Sequence, residues 1–121
     1  MRIDIRIKIS GEIPFFSIGP MELLEKIEKH SSIKKATEAM GMSYTKALRI
    51  IRNAEKELGF ALVISEKGGN QRGQTMLTDQ GKQVLAAFQE FYSEVSHYAR
   101  QCWEERYRFI FECGARVEKK D

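Results

Sequence analysis

One hundred and twenty-one residues make one domain, or one domain with an extension. A 42% apolar share excludes a disordered chain, and a formal net charge of +3 admits nucleic acid as a partner without demanding it. Cys102 and Cys113, with no C-x-x-C and no Cys/His cluster, exclude a zinc site of familiar spacing and read as reduced thiols of a cytoplasmic protein.

Arg2 to Ile9 alternates charge and isoleucine with period two, which predicts a half-buried strand ended by Gly11 and Pro14. The same stretch has no continuous apolar core, so it is no signal peptide. Nowhere does an apolar run approach the roughly 18 residues needed to span a bilayer, and no membrane role is expected.

Pro20 suits the first position of a helix running to about His30, with Leu23, Leu24 and Ile27 on one face. Ser31 or Ser32 caps a second helix over about 33–40, lined inside by Ile33, Ala36 and Met40. Gly41 stands where a helix end takes a left-handed residue. Ser43 then caps a third helix over about 44–58, with Ala47, Ile50, Ile51, Ala54 and Leu58 inward and Gly59 ending it. Two short helices joined at Gly41, Met42 and Ser43, the second with a basic face, have the form of a helix-turn-helix.

Phe60 to Ser65 and Gln74 to Leu77 are strand candidates around a glycine-rich loop carrying Lys67 and Arg72. Strand, basic loop and strand after a helix-turn-helix read as a wing. Thr78 caps a last helix, over 79 to about 111 and roughly 50 Å long. Val84, Phe88, Phe91, Val95, Tyr98 and Cys102 follow one another at spacings of 4, 3, 4, 3 and 4, a heptad stripe. The domain can cover its start; Phe88, Phe91, Val95, Tyr98 and Cys102 are the expected homodimer interface. Cys102 on that stripe reads as a buried thiol rather than an inter-subunit disulfide.

With these residues in view, the chain resembles the winged-helix DNA-binding domain of ModE-type, molybdate-responsive transcription regulators, and more distantly the LysR-type regulators. The resemblance rests on Ser32 and Ile33, Ala36, Ala39 through Tyr44, and Ala47. It continues in Leu62 and Val63, in Lys67, Gly68 and Gly69, and in Leu77, Thr78 and Gly81, and covers about residues 3–105. It implies a mainly α fold with a small β part: a winged helix-turn-helix with an N-terminal strand, a two-stranded wing and a long C-terminal dimerisation helix. The expected division is 1–78 for the DNA-binding domain, 79–113 for the dimerisation helix and 114–121 for a flexible tail. Full-length members of that family carry C-terminal molybdate-binding domains. About ten residues follow the long helix here, so neither molybdate nor any other cofactor is expected, and the sequence names no effector.

A third helix in the major groove offers Ser43, Tyr44, Thr45, Lys46 and Arg49 to the bases; Lys46 and Arg49 read guanine acceptors or hold phosphates. Arg52 further along and Lys35 on the second helix suit the backbone, and from the wing Lys67 and Arg72 either reach phosphates or insert into the minor groove. The expectation is a sequence-specific transcription regulator that binds double-stranded DNA as a homodimer, on an inverted repeat. The competing readings are a solvated charged helix face, which Glu55 and Glu57 would dilute, and a winged helix that binds protein instead of DNA. No nucleophile elbow, phosphate-binding loop or supported carboxylate pair suggests an enzyme, and His30 and His97 lack the companions of metal ligands.

Overall fold

The computed structural model describes residues 2–66 and 74–120. The chain divides into two units, Arg6–Gln89 and a second made of Met1–Ile5 with Glu90–Asp121.

The first unit opens with a hairpin, β1 (Ile9–Ser10) antiparallel to β2 (Pro14–Phe16). The strand expected over 2–9 is thus much shorter. Residues 2–8 join no ladder, although Ile3, Ile5 and Ile7 stay half-buried and the charged residues between them exposed. Pro14 starts the return strand rather than ending the first. In a two-stranded sheet every strand is an edge, where a missing N–H does no harm.

Helix α1 (Ile18–His30) starts two residues ahead of Pro20. The first four N–H groups of a helix have no intrahelical partner, so proline is tolerated at its third position as well as its first. Helices α2 (Ile33–Met40) and α3 (Tyr44–Leu58) fall where periodicity and caps place them. Ser32 Oγ accepts from Lys35 N and Ser43 Oγ from Lys46 N, each at 3.1 Å. Between them Gly41 adopts φ +67, a conformation costly for residues with a Cβ. Gly41 N donates to Glu38 O at 3.4 Å and Met42 N to Thr37 O at 3.1 Å. These two bonds satisfy the last carbonyls of α2 and set the sharp turn into α3.

The wing strands are β3 (Val63–Glu66) and β4 (Gln74–Leu77), antiparallel with Val63 opposite Leu77 and Glu66 opposite Gln74. β3 starts later than the apolar run that predicts it, because Leu62 is spent in the core at 1% exposure. Thr75 N donates to Ser31 O at 2.9 Å, which ties β4 to the turn between α1 and α2.

Thr78 makes the corner into the last helix. Its N–H donates to Leu62 O at 2.9 Å, its hydroxyl donates to Ala61 O at 2.7 Å, and its Oγ1 accepts from Gly81 N at 2.9 Å. Gly81 packs so close to the backbone of Leu62 that a Cβ would collide with the Leu62 carbonyl. Helix α4 (Asp79–Lys120) continues past the expected end near residue 111, and residues 114–120 are helical where the sequence reading has a flexible tail. Glycine inside a helix costs about 1 kcal/mol relative to alanine, so Gly114 need not stop one.

The core gathers Phe16, Leu23, Leu24 and Ile27, Ile33 and Ala36, Ala47, Ile51 and Ala54, and Leu62, Leu77, Leu85 and Phe88. Ile50, Leu58 and Met40, expected inside, are only half-buried. Thr37 is buried instead, with its hydroxyl satisfied by Lys34 O at 2.7 Å. Phe88 is a correction to the expected dimer stripe: it is 3% exposed and belongs to this domain's own core.

In the second unit the Tyr92 hydroxyl donates to Ile5 O at 3.1 Å, and Arg2 pairs with Asp4 at 3.2 Å. Trp103 and Tyr107 stack with centroids 4.8 Å apart. Among the described residues no helix is long and apolar enough to cross a membrane.

Candidate nucleic-acid interface

The face of α3 turned away from Ala47, Ile51 and Ala54 carries the predicted contacts. At 100° per residue, Thr45, Arg49, Arg52 and Lys56 fall within about 60° of arc, with Lys46 at the edge of the same face. All five are exposed. Ser43 and Tyr44 precede them at the helix start, both exposed, Tyr44 at 50%. Lys35 is exposed on α2. Thr45, Lys46, Arg49 and Arg52 thus share one exposed face of α3. Lys67 and Arg72 lie outside the described residues.

Ser43 caps α3 as expected, its hydroxyl oxygen accepting from Lys46 N. It fixes the first turn of α3 from which Lys46 projects.

The acidic residues of α3 decide the electrostatics. Glu55 is half-buried, and its Oε2 accepts from Leu62 N at 2.7 Å and Val63 N at 3.4 Å, at the entry to β3. Glu57 Oε2 accepts from Glu12 N at 3.4 Å, at the tip of the first hairpin. Among the described residues neither carboxylate pairs with a cation. The ion pair present there is Arg2 with Asp4, so Lys46, Arg49, Arg52 and Lys56 carry uncompensated charge. The acids expected to dilute this face are turned to its flanks, where they hold backbone amides. A sequence shows that the charges alternate; only the fold shows which ones are engaged.

Two residues along a helix is a rotation of about 200°, so Glu55 and Glu57 grip elements on opposite flanks of α3. One flank is the wing. The other is the β1–β2 hairpin, whose approach sequence reasoning missed. Gly11 was the available signal: a Cβ there would collide with the Glu57 carboxylate, so the tip lies tight against α3.

The described residues include no group of three or more His, Cys, Asp or Glu side chains that could hold a metal ion. On the second unit the Tyr98 phenol is raised above its usual pKa, chiefly by its side-chain hydrogen bond with Cys102. Tyr98 is 65% exposed.

Three helices, a tight glycine turn, a two-stranded wing and a cation-rich third helix define the class: a winged helix-turn-helix. Residues 18–82 match the family described as bacterial regulatory helix-turn-helix protein, lysR family, and the chain belongs to that family. The family and fold are those of DNA-binding transcription regulators, not of enzymes. The Molybdenum transport protein ModE of Azotobacter vinelandii is 35% identical over 68 residues, 56% of this chain and 25% of that protein. The chain therefore spans about a quarter of that relative's length. Among solved structures, the crystal structure of the BenM DNA-binding domain with benA site 1 DNA aligns with a TM-score of 0.55. That match has 20% identity and covers 71% of this chain and 94% of the other; it bears on the fold.

Proposed function

We propose that this chain binds double-stranded DNA in a sequence-specific way by laying α3 in the major groove. The observation that carries this is the row of unpaired cations on α3, with Glu55 and Glu57 withdrawn to its flanks. Ser43, Tyr44, Thr45, Lys46 and Arg49, on the first turns, face base edges; Arg52 and Lys35 hold phosphates. Lys67 and Arg72 are assigned to phosphate by their place in the sequence between β3 and β4. The free cationic surface favours DNA over a protein ligand for the same face.

The same reading makes the chain a homodimer on an inverted repeat. Its support is the exposed apolar row along the second unit's helix, where Phe91 is 46% exposed and Tyr98 65%, with Val95 half-buried between them and Cys102 half-buried one turn beyond. Tyr107 and Ile110, at 42% and 45% exposure, continue the apolar surface of that helix in a shifted register. Rows of this kind mark association surfaces, and two-fold symmetry in the protein demands it in the operator. The setting is the cytoplasm, where the chromosome of a bacterial regulator lies.

The test is a duplex titration. A duplex enriched from a random library is bound at two salt concentrations by wild type and Arg49→Ala. Affinity falls steeply with salt, and Arg49→Ala weakens binding and relaxes selection at one or two positions, by about 1–3 kcal/mol. Binding that ignores both salt and the substitution removes the assignment of α3.

A further inference from the structure

We propose that the β1–β2 hairpin and the segment leading into it form a second wing, which places Lys8 on a backbone phosphate of the same duplex that α3 enters. The inference rests on the DNA-binding reading above and adds a contact that reading does not contain.

The argument starts from the anchoring of the hairpin. Glu57 holds its tip through Glu12 N, and Gly11 permits the close approach. From that tip the chain runs back along α3, with Ile9 opposite Phe16 and Phe16 buried at 2% in the core. Both ends of the hairpin are therefore fixed to the domain. Lys8 emerges beside α3 and shares with Ser17, Ile50 and Asn53 the lining of a cleft of about 280 Å³.

The register then selects the face. Asn53 lies one turn beyond Arg49 and Ile50 one turn beyond Lys46, so the cleft borders the cationic surface directly. Lys8 is exposed and has no carboxylate partner among the described residues. Arg6, two residues upstream and also exposed, adds a second cation to the same segment. Asn53 is exposed between Lys8 and the α3 cations, with an amide able to donate to phosphate oxygen.

A helix seated in the major groove has phosphates on both sides. The β3–β4 wing flanks α3 on the Glu55 side; the hairpin flanks it on the Glu57 side. A lysine at the foot of that anchored hairpin meets the second row of phosphates. It positions the protein on the duplex and carries no base preference.

The experiment uses the whole chain, a labelled duplex pool of random sequence and a single duplex enriched from that pool. Removing one cation from a phosphate lowers affinity about fivefold near 0.15 M salt and reduces the log–log salt slope by about one. Lys8→Gln is expected to do this on both probes equally, with an unchanged melting temperature, and Lys8→Arg to restore both readouts. Arg100→Gln removes the same charge from the other unit and is expected to leave the slope intact. If Lys8→Gln leaves affinity and slope unchanged while Arg49→Ala weakens binding, the second wing is overturned and the α3 assignment stands. If Arg100→Gln matches Lys8→Gln, the effect is one of net charge and the proposal also falls. If wild type binds neither probe, the DNA-binding reading fails and takes the second wing with it.

Discussion

Phe88 meets Phe16 edge-on, with ring centroids 5.0 Å apart and planes inclined by 66°. This contact joins the first hairpin to the start of α4, and both rings are nearly fully buried, at 2% and 3% exposure. Phe88→Ala is therefore expected to destabilise the folded chain by about 3–5 kcal/mol, the usual cost of a phenylalanine-sized cavity. Thermal or urea unfolding followed by circular dichroism measures it. A loss below about 1 kcal/mol would mean that the ring is not held in a core.

Phe91, one turn further on, behaves in the opposite way. It is 46% exposed, so Phe91→Asp costs its own unit little packing. Its expected effect is on self-association. Sedimentation velocity over a concentration series is expected to show a wild-type dimer and a monomeric variant, with weaker binding to a two-half-site duplex. A variant that stays dimeric removes Phe91 from the interface.

Two glycines in first turns of helices make a paired prediction. A Cβ at Gly81 would collide with the backbone carbonyl of Leu62, which has no freedom to move while Thr78 N donates to it. Gly81→Ala is expected to cost about 1–3 kcal/mol through overpacking. A Cβ at Gly19 meets nothing within 4 Å. Gly19→Ala is expected to stabilise by about 0.5 kcal/mol, by restricting the unfolded chain. Equal melting temperatures for the two variants would contradict the tight corner.

Local signals carried far in this chain and stopped where long-range packing begins. Ser32, Gly41, Ser43 and Gly59 punctuate α2 and α3 so fully that the approximate bounds of both helices were readable, although the cap of α2 stayed open between Ser31 and Ser32. The exposed face of α3 followed from its period alone. Three things did not follow. The alternation over Arg2 to Ile9 is a genuine burial pattern, but period two reports sidedness and not pairing, so it overstated the strand. The heptad stripe could not say where the domain's own core ends, and Phe88 fell on the other side of that boundary. The carboxylates of α3 looked like diluting charges because their partners are backbone amides at Glu12, Leu62 and Val63, and amides carry no sequence signal.

Ser43 separates folding from binding. Its Oγ accepts from Lys46 N, so Ser43→Ala is expected to lose about 1 kcal/mol of stability along with the cap. Ser43→Asp keeps a capping acceptor and adds an anion that favours the helix N-terminus. It is expected to melt at or above the wild-type temperature. The same anion faces phosphate in the DNA complex, so affinity is expected to fall several-fold more than for Ser43→Ala. Melting curves and duplex titrations on both variants give the two orders. Parallel orders would place Ser43 away from DNA.

Glu55 offers the sharpest distinction between a diluting charge and an anchor. If it merely offset Arg52 and Lys56, then Glu55→Gln would leave stability unchanged and tighten DNA binding through one more unit of net positive charge. As an anchor it acts otherwise. The carboxylate accepts from Leu62 N at 2.7 Å in a half-buried position, and hydrogen bonds to a charged group contribute about 1.5–3 kcal/mol. Glu55→Ala removes that acceptor and leaves Leu62 N without it, so a destabilisation of this order is expected. Glu55→Gln keeps an oxygen and is expected to lose about half as much. Both variants are expected to bind the enriched duplex more weakly than wild type, because the entry to β3 is no longer fixed against α3. Unfolding curves and titrations at matched salt test this, and tighter binding by Glu55→Gln with unchanged stability would return Glu55 to the role of a surface charge.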